Sequence, residues 1–140
     1  MTRQLTNAFL IAGLSALLGA AVVNAQDRSE KANIPFVFHT QQTTFEAGKY
    51  TVQERTSTGL FLLRSDETAN AVLMQMHPGP SADPEKPKLI FACYGHDCAL
   101  AEISMEGSDV TYALPDSAIE KNLKHKLGIS SMISVPLKGR

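Results

Sequence analysis

The chain of 140 residues has little charge and no excess of either sign: charged residues make up 19%, and 13 Lys+Arg against 14 Asp+Glu leave a formal charge of −1. Such a chain has no large basic field to hold a nucleic-acid backbone, so no nucleic-acid partner is expected. Hydrophobic residues at 44% exclude a disordered acidic or basic tail. The sequence also lacks a G-x-S-x-G elbow, an H-E-x-x-H pair, a phosphate-binding glycine loop and a calcium loop. No catalytic residue, metal or cofactor is therefore assigned from these motifs, and the expectation is a protein that is not an enzyme. Nor is there an internal repeat or a strand-turn-helix nucleotide unit, which argues against a parallel α/β sheet.

What the sequence does have is a leader. Arg3 is followed by no charge until Asp27, and the run Ala8 to Val23 is uncharged and almost wholly apolar. The run is shorter than the roughly 20 residues a bilayer span needs, and it ends in Val23-Asn24-Ala25, an A-x-A-like cleavage site. Residues 1–25 thus read as a signal peptide cleaved between Ala25 and Gln26, which implies export to the periplasm or beyond the cell. The competing reading, an uncleaved anchor, is weakened by Gly13, Ser15 and Gly19 within the run. Nothing later in the chain is long and apolar enough for a membrane-spanning helix.

After a linker over 26–32, apolar residues recur at a period of two, the mark of strands with one buried face. Ile34, Phe36 and Phe38 share a face, and Pro35 among them predicts an edge strand. Tyr50 and Val52 alternate with Lys49, Thr51 and Gln53. Leu60 to Leu63 is apolar on both faces and reads as a strand covered on both sides. Val72, Met74 and Met76 alternate again, and four prolines between His77 and Pro87 predict a long surface loop. Within it, Pro84-Glu85-Lys86-Pro87 reads as connecting loop rather than as a polyproline ligand. Strands follow over 88–94 and 97–106, then a short one at Val110, Tyr112 and Leu114. These spacings predict a mainly β domain over 33–135, an antiparallel meander of about seven strands forming a small sandwich or a partly open barrel.

One helix, 117–127, is signalled by the capping box Ser117-Ala118-Ile119-Glu120. Ile119, Leu123 and Leu127 form its apolar stripe, Lys124, His125 and Lys126 suit its last turn, and Gly128 ends it. The stripe is expected to dock on the open side of the sheet, with membrane-surface contact as the other reading of a basic amphipathic helix. Ile129 to Val135 suits an edge strand, and 136–140 reads as a frayed tail.

The segments Asn33-Ile34-Pro35-Phe36-Val37-Phe38, Thr44-Phe45-Glu46-Ala47-Gly48-Lys49-Tyr50-Thr51-Val52 and Pro87-Lys88-Leu89-Ile90-Phe91 with Tyr94-Gly95 resemble a group of small exported β-rich proteins from soil bacteria that has no assigned function. The resemblance covers about Asn33 to Glu106 and implies an exported β domain, with no catalytic residues to transfer.

Cys93 and Cys98 enclose Tyr94-Gly95-His96-Asp97. A two-residue turn with Gly95 first, of type II′, sets Tyr94 against Asp97 and the cysteines against each other as a close, non-hydrogen-bonded pair within disulfide reach. A redox-active pair and a metal site using Cys93, His96 and Cys98 are the alternatives. His39, alternating with Phe38, is expected on the polar face; His77, His96 and His125 are expected in solvent. Asp66 and Glu67 read as turn formers in the Ser65 to Asn70 turn.

The leading functional expectation is an exported, non-enzymatic β domain that binds through its surface or builds the cell envelope, with an envelope component or a protein as its partner. The second is a small-molecule binder holding its ligand between sheet and helix, among Phe36, Tyr50, Leu62 and Phe91, and an enzyme of unknown type is a third, weaker reading. Both leader and hairpin are read by the mass of the protein recovered from its native compartment. The expected species starts at Gln26 and takes up no thiol label without reductant; one starting at Met1, or one labelled at both cysteines, contradicts the respective reading.

Overall fold

Alternation begins before the first large apolar residue, because Glu30, Ala32 and Ile34 are all buried while Lys31 and Asn33 between them are exposed. The strand β1 (Arg28–Ile34) therefore occupies most of what reads as a linker in the sequence. A computed structural model describes residues 28–41, 43–56, 58–116, 118–128 and 131–139, so the leader with its Ala25–Gln26 junction, and Ser117 of the capping box, lie outside the described residues. Described are β2 (Phe38–Thr40), β3 (Thr43–Phe45), β4 (Gly48–Thr56), β5 (Leu60–Ser65), β6 (Ala71–Gln75), β7 (His77–Ser81), β8 (Lys88–Tyr94), β9 (Asp97–Ser104), β10 (Val110–Ala113), α1 (Ala118–Leu127), β11 (Ser131–Pro136) and β12 (Lys138–Gly139). Twelve strands thus stand where about seven are legible by period.

They form two sheets facing each other. One is five-stranded, in the order β12-β1-β4-β5-β6; the other is seven-stranded, in the order β11-β8-β9-β10-β7, with β2 beside β9 and β3 beside β2. The architecture is a small mainly β sandwich with one C-terminal helix, and not a closed barrel. The expected meanders are present as β4-β5-β6 and β8-β9-β10. Other pairings depart from a simple meander. β1 pairs with β4 and β12, β7 with β10, β8 with β11, and β2 runs parallel to β9 with Phe38 opposite Cys98.

Pro35 has a different role from the one its chemistry suggests. It does not mark an edge strand, since β1 lies between β12 and β4; it falls where the chain leaves one sheet for the other. A residue without an N–H costs no ladder bond at such a crossing. The proline-rich stretch after Met76 is likewise not all loop. Its start pairs with β10 as the edge strand β7, with Tyr112 opposite Pro78 and a register shift between Val110 and Tyr112, and an edge is where a sheet tolerates prolines. The expected tail also pairs, Lys138 and Gly139 standing opposite Lys31 and Glu30. The β5 strand is covered on one side only: Phe61 and Leu63 are fully buried, and Leu60 and Leu62 are half-buried on the outer side.

The core lies between the sheets, and its centre is aromatic. Phe38 stacks on Phe45 with centroids 5.3 Å apart, and meets Tyr50 and Phe91 edge to face, each at 5.2 Å. Phe36 meets Phe91 at 5.0 Å, and Tyr50 also donates its hydroxyl proton to the Glu46 carbonyl. Such pairs add about 0.5–1.5 kcal/mol each beyond their burial. Gly59 closes the other end. Its φ of 92° suits glycine, and a Cβ there would stand 2.5 Å from the Met76 carbonyl oxygen, where the chain crosses between the sheets.

Phe38→Ala removes a ring with neighbours on both sheets and is expected to cost about 3–5 kcal/mol in denaturant unfolding. Val37→Ala, at a position 47% exposed, should change stability by less than about 0.5 kcal/mol. Equal losses at the two positions would contradict this placement of the core.

Candidate functional site

The Gly95-His96 turn sets the geometry of the cysteine hairpin. Gly95 has a φ of 64°, whereas His96 is not among the positive-φ residues, the combination of a type II′ turn. Tyr94 stands opposite Asp97 and Cys93 opposite Cys98, with Cα atoms 4.0 Å apart and sulfurs at a bonding distance of 2.12 Å. Both cysteines are buried against the inter-sheet core, whereas His96 is exposed at the turn. The hairpin thus engages the sulfurs with each other and turns the imidazole away from them, an arrangement for tying two strands.

The outer side of this hairpin is covered too. Ala92, Tyr94 and Ala99 are buried yet alternate away from the inter-sheet core, and α1 lies against β8 on that side. Two alanines leave space for a helix to approach. Among its described side chains the helix buries Glu120 and half-buries Leu123, while Leu127 remains 52% exposed. A Cβ on Gly95 would be 3.8 Å from the Leu127 side chain, so the helix end reaches the turn. Docking on a sheet is thereby found, with a correction: the helix sits on the outside of the seven-stranded sheet and does not bury the whole expected stripe. Lys124 pairs with Asp116 ahead of the helix, and that bond raises its pKa.

His39 corrects a second expectation. It alternates away from Phe38 as read, yet it is buried, because β9 flanks β2 on one side and β3 on the other. Nε2 has no hydrogen-bond partner among the described residues. Burial pushes the imidazole pKa down, and the nearby Asp97 carboxylate opposes this only in part. His77, His96 and His125 are exposed as expected.

Glu30 is a buried carboxylate that motif reasoning misses, although its phase with Ala32 and Ile34 marks it. Its two oxygens accept the Glu106 N–H at 3.1 and 3.3 Å. Burial raises its pKa, the Glu106 N–H works against that, and the charges of Glu106 and Glu54 add to the rise. It lines an open cleft of about 380 Å³ with Arg28, Ser29, Glu106 and Gly139. On the opposite side of the same sheet, Asp66 does more than form a turn. It accepts the Thr51 hydroxyl at 2.6 Å and Lys31 Nζ at 3.0 Å, and these bonds hold its pKa below the usual carboxylate range.

The residues with chemical capability are therefore not brought together. Cys93 and Cys98 lie in the core, His39 under the edge formed by β2 and β3, Glu30 at the sandwich rim and Asp66 on an outer face. No family model, curated protein or solved structure matches the chain.

The buried His39 sets the sign of a pH effect. Its pKa is lower folded than unfolded, so the unfolded chain takes up the proton first as pH falls. Stability is complete above the unfolded value of about 6.5 and declines below it, by at most about 1.4 kcal/mol per pH unit until the folded form also titrates. Denaturant unfolding at pH 7.5 and pH 5.5 should show this loss, and His39→Gln should diminish it. An unchanged pH profile in the variant would assign the loss to other groups.

Proposed function

We propose that this protein is an exported, non-enzymatic β domain that works through its outer surface at the cell envelope. The observation that carries the reading is the filled interior: Phe36, Phe38, Phe45, Tyr50 and Phe91 occupy the space between the sheets with centroids from 5.0 to 5.9 Å apart. A ligand held between sheets would need that space. Leu62, which a ligand between sheet and helix would also have to touch, lies on the outer side of β5, and the helix stands across the other sheet. Clefts among the described residues open outward, as at Glu30 and at Lys86, Pro87, Ser134 and Leu137. Export is supported by the leader and by a cysteine pair placed to oxidise, and the resemblance to exported β-rich proteins of soil bacteria points the same way.

Native mass spectrometry of the protein from its own host is the test. The bare polypeptide mass is expected. A small molecule that co-purifies reproducibly, and that a structure locates among Phe36, Tyr50 and Phe91, would replace this reading with that of a small-molecule carrier.

A further inference from the structure

The outward side of the five-stranded sheet concentrates positive charge that the composition as a whole conceals. Strand register places Lys138 opposite Lys31, Lys31 opposite Thr51, and Thr51 opposite Arg64. These residues share one side, and adjacent strands are about 4.8 Å apart. Lys49 lies two residues from Thr51 on that side, and Arg55 joins it by donating to Gln53 Oε1 at 3.1 Å. The carboxylates these strands carry, Glu30 and Glu54, alternate toward the other side. Asp66, which pairs with Lys31, and Glu67, which accepts the Lys49 N–H at 3.4 Å, are the acids of the Ser65 to Asn70 turn set at one end of these bases. Like charges directly opposite in a sheet work against folding, and the Asp66 carboxylate on Lys31 offsets that cost at the Lys31 and Lys138 pair only in part.

Beside this basic area the same side carries leucines. Leu62 stands opposite Leu73, and Leu60 is two residues along β5. Leu73 is 55% exposed and lies on the edge strand β6, which has no charged residue. A nucleic acid or an acidic polysaccharide would satisfy the lysines and arginines but has no layer to receive Leu73. A plane of negative charge with an apolar layer beneath it satisfies both.

We propose that this side of the five-stranded sheet docks on an anionic phospholipid bilayer, with Lys49, Arg55, Arg64 and Lys138 at the lipid phosphates and Leu73 entering the interface. The proposal names a partner for the surface reading above and rests on it. Each basic residue near an anionic surface strengthens binding about fivefold, an effect that salt screens, whereas leucine insertion persists in salt.

Vesicle co-sedimentation tests it, with protein recovered from its native compartment and variants prepared identically, so that any contribution of the N-terminal segment is the same in each. Wild type should bind vesicles of phosphatidylcholine with roughly 30% phosphatidylglycerol and not vesicles of phosphatidylcholine alone. The triple variant Lys49→Glu, Arg64→Glu, Lys138→Glu should bind at least about 100-fold more weakly. Its side chains are exposed, so its Tm should stay near wild type. Leu73→Ser should remove the binding that survives high salt. Equal binding to neutral vesicles, undiminished binding by the triple variant, or no binding to anionic vesicles would each overturn the proposal. So would displacement by soluble polyphosphate together with indifference to Leu73→Ser, which would identify a hydrophilic polyanion instead. A vesicle failure with a bare polypeptide mass removes the bilayer and leaves the surface reading; a co-purifying interior ligand removes the surface reading whatever the vesicles do.

Discussion

The ring of Phe38 joins the two halves of this molecule. It comes from a three-residue strand at the edge of β9, yet it touches Phe45 and Phe91 of its own sheet and Tyr50 of the facing one. Those four rings come from three sequence segments that look unrelated along the chain. Their convergence gives the β1 to β2 crossing its purpose: the chain must leave the five-stranded sheet after Ile34 to deliver Phe36 and Phe38 against Phe91. A short strand such as β2 has too few ladder bonds to hold itself in place, and its burial supplies what its hydrogen bonds do not.

Legibility in the sequence follows from how local each determinant is. The cysteine register is fixed by two turn residues, Gly95 and His96, so sequence places Cys93 opposite Cys98 and the structure agrees. The meanders β4-β5-β6 and β8-β9-β10 are likewise set by neighbouring turns and a two-residue period. The rest depends on partners far away in the chain. Nothing near Pro78 or Pro80 announces that β10 will accept them at its edge, and nothing near Arg28 announces β4. The parallel run of β2 along β9 cannot come from a hairpin at all. His39 shows the same limit at one residue, since its alternation gives its direction but not the strands that bury it. Glu30 was readable from its phase with Ala32 and Ile34, but a carboxylate carries no apolar signal to begin a strand with.

Surface chemistry follows from which side of each sheet is already occupied. The outer side of the seven-stranded sheet is covered around Ala92 and Tyr94 by α1. The outer side of the five-stranded sheet has its bases and Leu73 in the open, with Leu60 and Leu62 half-buried beside them. A near-neutral composition hides this, because most of the described acids sit in turns and connecting loops, with Glu30 at the rim and Asp97 and Glu102 on the other sheet. The functional reading therefore moves from buried groups, which the fold scatters, to the broad side that the fold leaves uncovered.

Aromatic contacts across the interface join the two sheets into one cooperative unit. Native-state hydrogen exchange tests this most directly, because it reports the free energy at which each strand opens. The slowest amides of β4 and β5 and those of β8 and β9 should exchange with the same opening free energy, equal to that of global unfolding. A five-stranded sheet whose slowest amides all exchange at a distinctly lower free energy than those of β8 and β9 would contradict it.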